Sequence, residues 1–360
     1  MNLMKTRLLL YPFLLLFLLT QVNAQKTYRA PELTTPGSWS MVLMPDPQSY
    51  VKFARNQPVL ELMTAWIGEN IDPLNIKMVL CTGDLVEQND MPNPDWKNGD
   101  QPSKSQWESV SRAFGRLDGR VPYIAATGNH DFGFKSAENR QTQYDQFFPP
   151  DKNFLSQKLL REAGFNGDGN PSLTNAVYEF NSPLGQKMLF MVLEFAPRDG
   201  VLDWAKKVVA QEKYKEHFVI LLTHSYLNSK SERIETEGYP LKDRNYGQAV
   251  WEKLVQPSTN IRMVFSGHIG VPDNILGHIG FRSDKNAAGK KVNQMVFNAQ
   301  ALGGGWHGNG GDGWLRYLEF VPGGKKIKVK TFSPLFAISP TTQQFSWRNE
   351  AYDQFEFDVD

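Results

Sequence analysis

The sequence predicts an α/β fold built on a sheet buried on both faces, joined by a second, antiparallel sheet. Short runs rich in Val, Ile, Leu and Phe alternate with longer amphipathic segments. The runs are apolar throughout rather than alternating, as expected of strands covered on both sides. In the C-terminal third, strand-like runs follow one another with little helix between them, which places a second sheet there.

Taken in order, residues 1–24 read as a secretory signal peptide. Lys5 and Arg7 precede the apolar stretch Leu8–Leu19, and Val22-Asn23-Ala24 supplies a small-residue cleavage pattern. The stretch is shorter than the roughly 20 residues that span a bilayer. The mature chain is therefore expected to be secreted or periplasmic with no stable membrane span, and residues 25–360 to form a single domain. Strands are expected at Ser40–Met44, Met78–Cys81, Val121–Ala125, Met188–Phe195, Phe218–Leu222 and Ile261–Phe265, each ending a run of Val, Ile, Leu, Met or Phe. Helices are expected between them at Gln57–Glu69, Ser105–Leu117, Val201–Gln211 and Tyr246–Val255, where apolar residues recur at helical spacing. Gln294–Asn298, Trp314–Phe320 and Lys326–Thr331 supply the second sheet. Asp90–Lys104, Lys135–Asn175 and Ser225–Asn245 lack periodicity and are candidate binding or lid loops.

Signal removal takes the formal charge from +1 to −1 by deleting Lys5 and Arg7. A near-neutral chain without basic blocks gives no electrostatic basis for binding nucleic acid or an anionic membrane. The one cysteine, Cys81, lies in a strand-like run and reads as a small buried hydrophobe. The sequence carries no signal for a partner protein or an oligomer.

Polar residues cluster where the apolar runs end. These are Asp46-Pro47-Gln48, Gly83-Asp84, Gly128-Asn129-His130-Asp131, His224 in Thr-His-Ser and His268 in Ser-Gly-His. Strand ends of an α/β sheet gather on one edge, so residues remote in sequence meet there. Carboxylate, amide and imidazole groups brought together in this way suit divalent ions. Asp46 and Gln48, two apart in an extended segment, point the same way. Gly83 permits a sharp turn that lets the Asp84 carboxylate bridge two ions.

In their order, these segments resemble the calcineurin-like metallophosphoesterase superfamily, with its Asp-x-His, Gly-Asp-x-x-Asp, Gly-Asn-His-Asp/Glu, lone His and Gly-His-x-His motifs. The resemblance implies a two-sheet β-sandwich flanked by helices, in four layers α/β/β/α. It implies two divalent metal ions, one held by Asp46 and Asp84, the other by Asp84, Asn129, His224 and His268. It also implies a phosphoesterase acting on a small phosphorylated substrate, monoester or diester. In the family's chemistry a metal-bridging hydroxide attacks phosphorus and His130 protonates the leaving group.

The chain departs from the pattern at three points. Gln48 and Gly270 stand where the family has histidines, so the first metal keeps only oxygen ligands, Asp46, Asp84 and the Gln48 carbonyl. Such a site favours Mg²⁺ or Mn²⁺, while the two imidazoles of the other suit Zn²⁺, Fe or Mn²⁺. His307, in a glycine-dense segment, is a candidate replacement ligand or phosphate contact, with His278 as the other candidate. Thirdly, Glu87 stands where the family has the Asp that orients His130. Asp131 is expected to hold its turn by accepting local backbone N–H groups.

The protein serine/threonine phosphatases carry an Arg where this chain has Gln88, which argues against that role. Trp96, Trp107, Trp306, Trp314, Tyr226 and Tyr239 lie in or near the candidate loops and are positioned in sequence to stack on a sugar or base. The competing expectation is a catalytically weakened member of the fold that binds a phosphorylated ligand or glycan without turning it over.

Overall fold

The computed structural model describes residues 28–359; the expected signal peptide lies outside the described residues. Among these, no helix is long and apolar enough to cross a membrane. The apolar runs form strands β1 (Trp39–Met44), β2 (Ile76–Cys81), β3 (Tyr123–Ala125), β4 (Leu160–Phe165), β5 (Pro171–Asn181), β6 (Lys187–Val192), β7 (Phe218–Leu222), β8 (Ile261–Ser266), β9 (Ile279–Lys285), β10 (Lys291–Phe297), β11 (Leu315–Phe320), β12 (Lys326–Phe332), β13 (Trp347–Arg348) and β14 (Phe355–Asp358).

These strands make two seven-stranded sheets. The first runs β13-β12-β11-β1-β2-β3, with β14 also on β12; the second runs β4-β5-β6-β7-β8-β10-β9. β1, β2 and β3 are mutually parallel, as are β6, β7, β8 and β10.

β7 shows why the runs are apolar throughout. Phe218, Ile220 and Leu222 join the core shared by the two sheets. Val219 and Leu221 join a second cluster with Val201, Leu202 and Ala205 of helix Asp199–Val209. Each face of the strand is thus covered. Leu60, Met63 and Ile67 of helix Gln57–Glu69 and Trp107, Val110 and Phe114 of helix Ser103–Gly115 pack into the cluster that holds β1, β2 and β3. The result is the expected pair of stacked sheets with flanking helices.

Three elements differ from expectation. The C-terminal strands do not form a sheet of their own: β10 pairs in parallel with β8, and β11 pairs antiparallel with β1. Apolar content shows that a strand exists, but its neighbour is chosen by the whole fold. Secondly, the stretch expected as the loop Lys135–Asn175 contains β4 and the start of β5, joined by the turn at Asn166–Asn170. β4 is half-exposed, so its sequence, Leu-Arg-Glu-Ala-Gly-Phe, carries little apolar signal. Thirdly, Gly247–Val250 is α-helical, but Trp251–Val255 continues as a π-turn.

Candidate metal centre

Parallel strands within each sheet point their carboxyl ends the same way, and the candidate residues lie just beyond those ends. Asp46, Asp84 and Asn129 follow β1, β2 and β3; His224, His268 and Asn298 follow β7, β8 and β10. The centre is therefore assembled from both sheets. Close approach depends on glycine at two places. Gly83 has φ +106, and a Cβ there would stand 2.7 Å from His224 Nδ1. A Cβ on Gly267 would collide with Asp46 Oδ1 and stand 2.7 Å from Thr82 Oγ1.

Four atoms face one another. His224 Nε2 lies 3.1 Å from Asp84 Oδ2 and 3.1 Å from Asn129 Oδ1. His268 Nδ1 lies 3.0 Å from Asn129 Oδ1 and 3.2 Å from His224 Nε2. The remaining atoms of these groups are committed elsewhere. His224 Nδ1–H donates to the Thr82 carbonyl at 2.8 Å, Asn129 Nδ2 donates to Ser136 Oγ at 2.9 Å, and His268 Nε2 meets Glu237 Oε1 at 2.5 Å. Outer partners of this kind fix a ligating imidazole and turn its other lone pair inward. Asp84, His224 and His268 lie close enough to hold one ion.

The electrostatics agree with that donor set. Burial opposes charge on His224, yet Asp84 and then Asp46 pull its pKa up to about 10. Burial pushes Asp46 up to about 6, against the favourable charge of His224. Burial also opposes Asp84, but His224 and His130 outweigh it and hold its carboxyl at about 2. Buried carboxylates thus demand positive charge here, and a divalent cation meets that demand with release of protons.

The second candidate site is oxygen-rich. Asp46 Oδ1 accepts from Thr82 Oγ1 at 2.6 Å, and Oδ2 accepts from the His268 N–H at 2.8 Å and Asn298 Nδ2 at 2.6 Å. Gln48 Oε1 and Gln300 Oε1 are buried and without hydrogen-bond partners among the described residues, so both oxygens are open to a cation. Gln300 Nε2 donates to the His268 carbonyl at 3.2 Å. Asp84, His224 and His268 thus fit one divalent ion, and the oxygens of Asp46, Gln48 and Gln300 are of the kind a second would need.

His130 borders the same cleft, of about 390 Å³, with Gln48, Lys52, Asp84, Glu87 and Gln300. Its Nδ1 lies 2.6 Å from the Glu87 main-chain carbonyl. The expected carboxylate–imidazole contact is therefore corrected: Glu87 holds His130 through its backbone, because its carboxylate turns to Lys52 Nζ at 3.2 Å. Burial disfavours the imidazolium, but the charges of Asp84 and then Glu87 win and raise the His130 pKa. Asp131 lies beneath the turn, where its carboxylate accepts from the Gly128 N–H at 2.7 Å and the Val86 N–H at 3.1 Å.

Neither alternative histidine joins the compact donor group. His307 is exposed at the cleft edge, its ring 5.8 Å from that of Phe53. His278 is buried and held by its own loops, Nδ1–H to the Asn274 carbonyl and Nε2 accepting from the Ala301 N–H. A Cβ on Gly270 would stand 3.0 Å from Trp306 and 3.1 Å from His278, so the indole and the buried imidazole fill the space beside that position. Trp306 and Tyr239 do line the cleft, whereas Trp107 and Tyr226 are core residues.

Sequence reasoning missed Glu237, Asn298, Gln300 and Lys52. Asn298 was legible as the polar residue ending a predicted strand; the others carry no motif.

The family model for calcineurin-like phosphoesterases matches residues 53–272, beginning after Asp46 and Gln48. The uncharacterized protein YvnB of Bacillus subtilis (strain 168) is 28% identical over 305 residues, which is 82% of this chain and 20% of that protein. The chain thus spans about a fifth of that relative's length. Among solved structures it is similar to PhoD, at 13% identity and TM-score 0.44 over 93% of this chain and 72% of that one. It is also similar to GAP50, the anchor in the inner membrane complex of Plasmodium, at 11% identity and TM-score 0.41 over 90% and 89%. With more than half its length matched by the family model, the chain belongs to the calcineurin-like phosphoesterase family.

Proposed function

We propose that the chain is an exported, metal-dependent phosphoesterase hydrolysing a small phosphomonoester or phosphodiester. The observation that carries this is the convergence of Asp84, Asn129, His224 and His268 beside His130 in an open cleft. Those four would hold one divalent cation; Asp46, Gln48 and Asp84 would hold the other, with Asn298 fixing the Asp46 carboxylate and Gln300 Oε1 a further oxygen without a partner among the described residues. Bound cations supply Lewis acidity that acidifies water and neutralises phosphoryl charge.

The chain's own residues do the rest. The Glu87 carbonyl fixes His130 through Nδ1, leaving the opposite nitrogen to protonate a leaving oxygen. The raised pKa keeps that proton in place towards neutral pH. Glu237 fixes the rotation of His268, and Asp131 fixes the turn that carries Asn129 and His130. Residues 1–24 support export.

The test is turnover of p-nitrophenyl phosphate and bis-p-nitrophenyl phosphate by Mn²⁺- or Zn²⁺-loaded protein, with metal counted per chain. Asp84→Asn is expected to lose bound ion and to lower turnover by more than about 100-fold. A loaded wild-type chain that binds phosphate yet turns over neither ester would instead favour the binding-protein alternative.

A further inference from the structure

Lys52 is a lysine with almost no solvent exposure, 2%, in the wall of a cleft built around carboxylates. Its position is fixed by the backbone. Its N–H donates to the Gln48 carbonyl, closing the short helical turn that follows Asp46. Its own carbonyl accepts from the N–H groups of Asp100 and Gln101, so the loop over residues 90–102 is fastened onto it. The stem is thereby enclosed, and Lys52 lines the cleft together with Gln48 and Glu87, its ammonium 5.8 Å from the centre of the Phe53 ring.

An ammonium has three donors. Glu87 Oε2, 3.2 Å away, is its one hydrogen-bond acceptor among the described residues. Burying a charged donor with unmet hydrogen bonds is costly. A cation so placed gains most from an anion with several oxygens arriving through the cleft, and a phosphoryl group is such an anion. Glu87 is equally constrained: its N–H donates to Gln106 Oε1 at 2.8 Å and its carbonyl meets His130. The same residue therefore sets both the ammonium and the imidazole.

We infer that Lys52 is a substrate-binding residue that takes a non-bridging phosphoryl oxygen, and that it biases the site towards phosphomonoesters. This rests on the phosphoesterase function proposed above and adds the substrate class. A monoester dianion brings one more negative charge and one more free oxygen to the ammonium than a diester does. No covalent step is assigned to Lys52.

The alternative role for Lys52 is merely to neutralise Glu87, and a double-mutant cycle separates the two. Lys52→Met, Glu87→Gln and the double variant are prepared metal-loaded, and thermal melting confirms that each is folded. Inorganic phosphate affinity is measured by calorimetry, and kcat/KM on the two nitrophenyl esters. The double variant is expected to bind phosphate about 10- to 100-fold more weakly than Glu87→Gln, the worth of one charge-assisted hydrogen bond. Its monoester-to-diester kcat/KM ratio is expected to fall alongside. Equal phosphate affinity in the double variant and Glu87→Gln, with an unchanged ester ratio, would overturn the assignment while leaving the phosphoesterase function standing. A loaded wild-type chain that neither binds phosphate nor turns over an ester would overturn both.

Discussion

Glu237 reaches His268 from the middle of a loop, and its second oxygen accepts from Ser225 Oγ at 2.6 Å. Burial opposes its ionisation, but the contacts with His268 and Ser225 outweigh that and lower its pKa. An acid with these ties acts on a metal only through the imidazole it holds. Glu237→Gln keeps the shape but removes the charge, so it is expected to weaken binding of the ion shared by His224 and His268 by about 10- to 100-fold. Competition with a chromogenic chelator measures this; unchanged affinity would mean that His268 is positioned without Glu237. Nothing in the sequence announced the residue, since an acid in a polar loop is indistinguishable from a solvated one until the loop folds back. The Gly-Asp, Gly-Asn-His and Gly-His segments were legible for the opposite reason: each puts a donor directly after a buried run, where the strand itself dictates the location.

The same rule explains what the strand ends demand of their glycines. Past β8 the chain passes so near Asp46 that the His268 N–H donates to its carboxylate, and Gly267 leaves no room for a side chain. Gly267→Ala is expected to push Asp46 or Thr82 aside, costing about 1–3 kcal/mol of stability. It should weaken the ion held by Asp46 more than the one held by His224. Denaturant titration and metal stoichiometry together check this; a variant with wild-type values on both would show that the backbone absorbs the methyl group. Strands were well foretold where both faces are covered, as in β1, β2, β7 and β8. They were missed where one edge meets solvent, as in β4, because periodicity records burial rather than hydrogen bonding.

Pairing between strands was the least legible feature, because it depends on surfaces far apart in sequence. Trp39 of β1 illustrates it: its ring stacks on Phe320 of neighbouring β11 at 4.1 Å and meets Phe180 of β5, in the other sheet, at 5.6 Å. The donor groups follow the same plan, with Asp46, Asp84 and Asn129 carried by the first sheet and His224 and His268 by the second. Ions held there would therefore stabilise the packed pair of sheets, by about 4 kcal/mol at a free concentration of 1,000 Kd. Stripping them with a chelator is expected to lower the melting temperature of the wild-type chain by several degrees and that of Asp84→Asn far less. Equal shifts in both would place the bound metal elsewhere.

The first sheet carries Asp46, Asp84 and Asn129 beyond β1, β2 and β3, while both imidazoles stand beyond β7 and β8 of the second. On their own, Asp46, Asp84 and Asn129 offer oxygens alone, a poor grip for any cation that prefers nitrogen. A cation that prefers nitrogen thus finds its full donor set only where the two sheets are packed together, so any loosening of one sheet from the other would shift the site's preference towards cations content with oxygen.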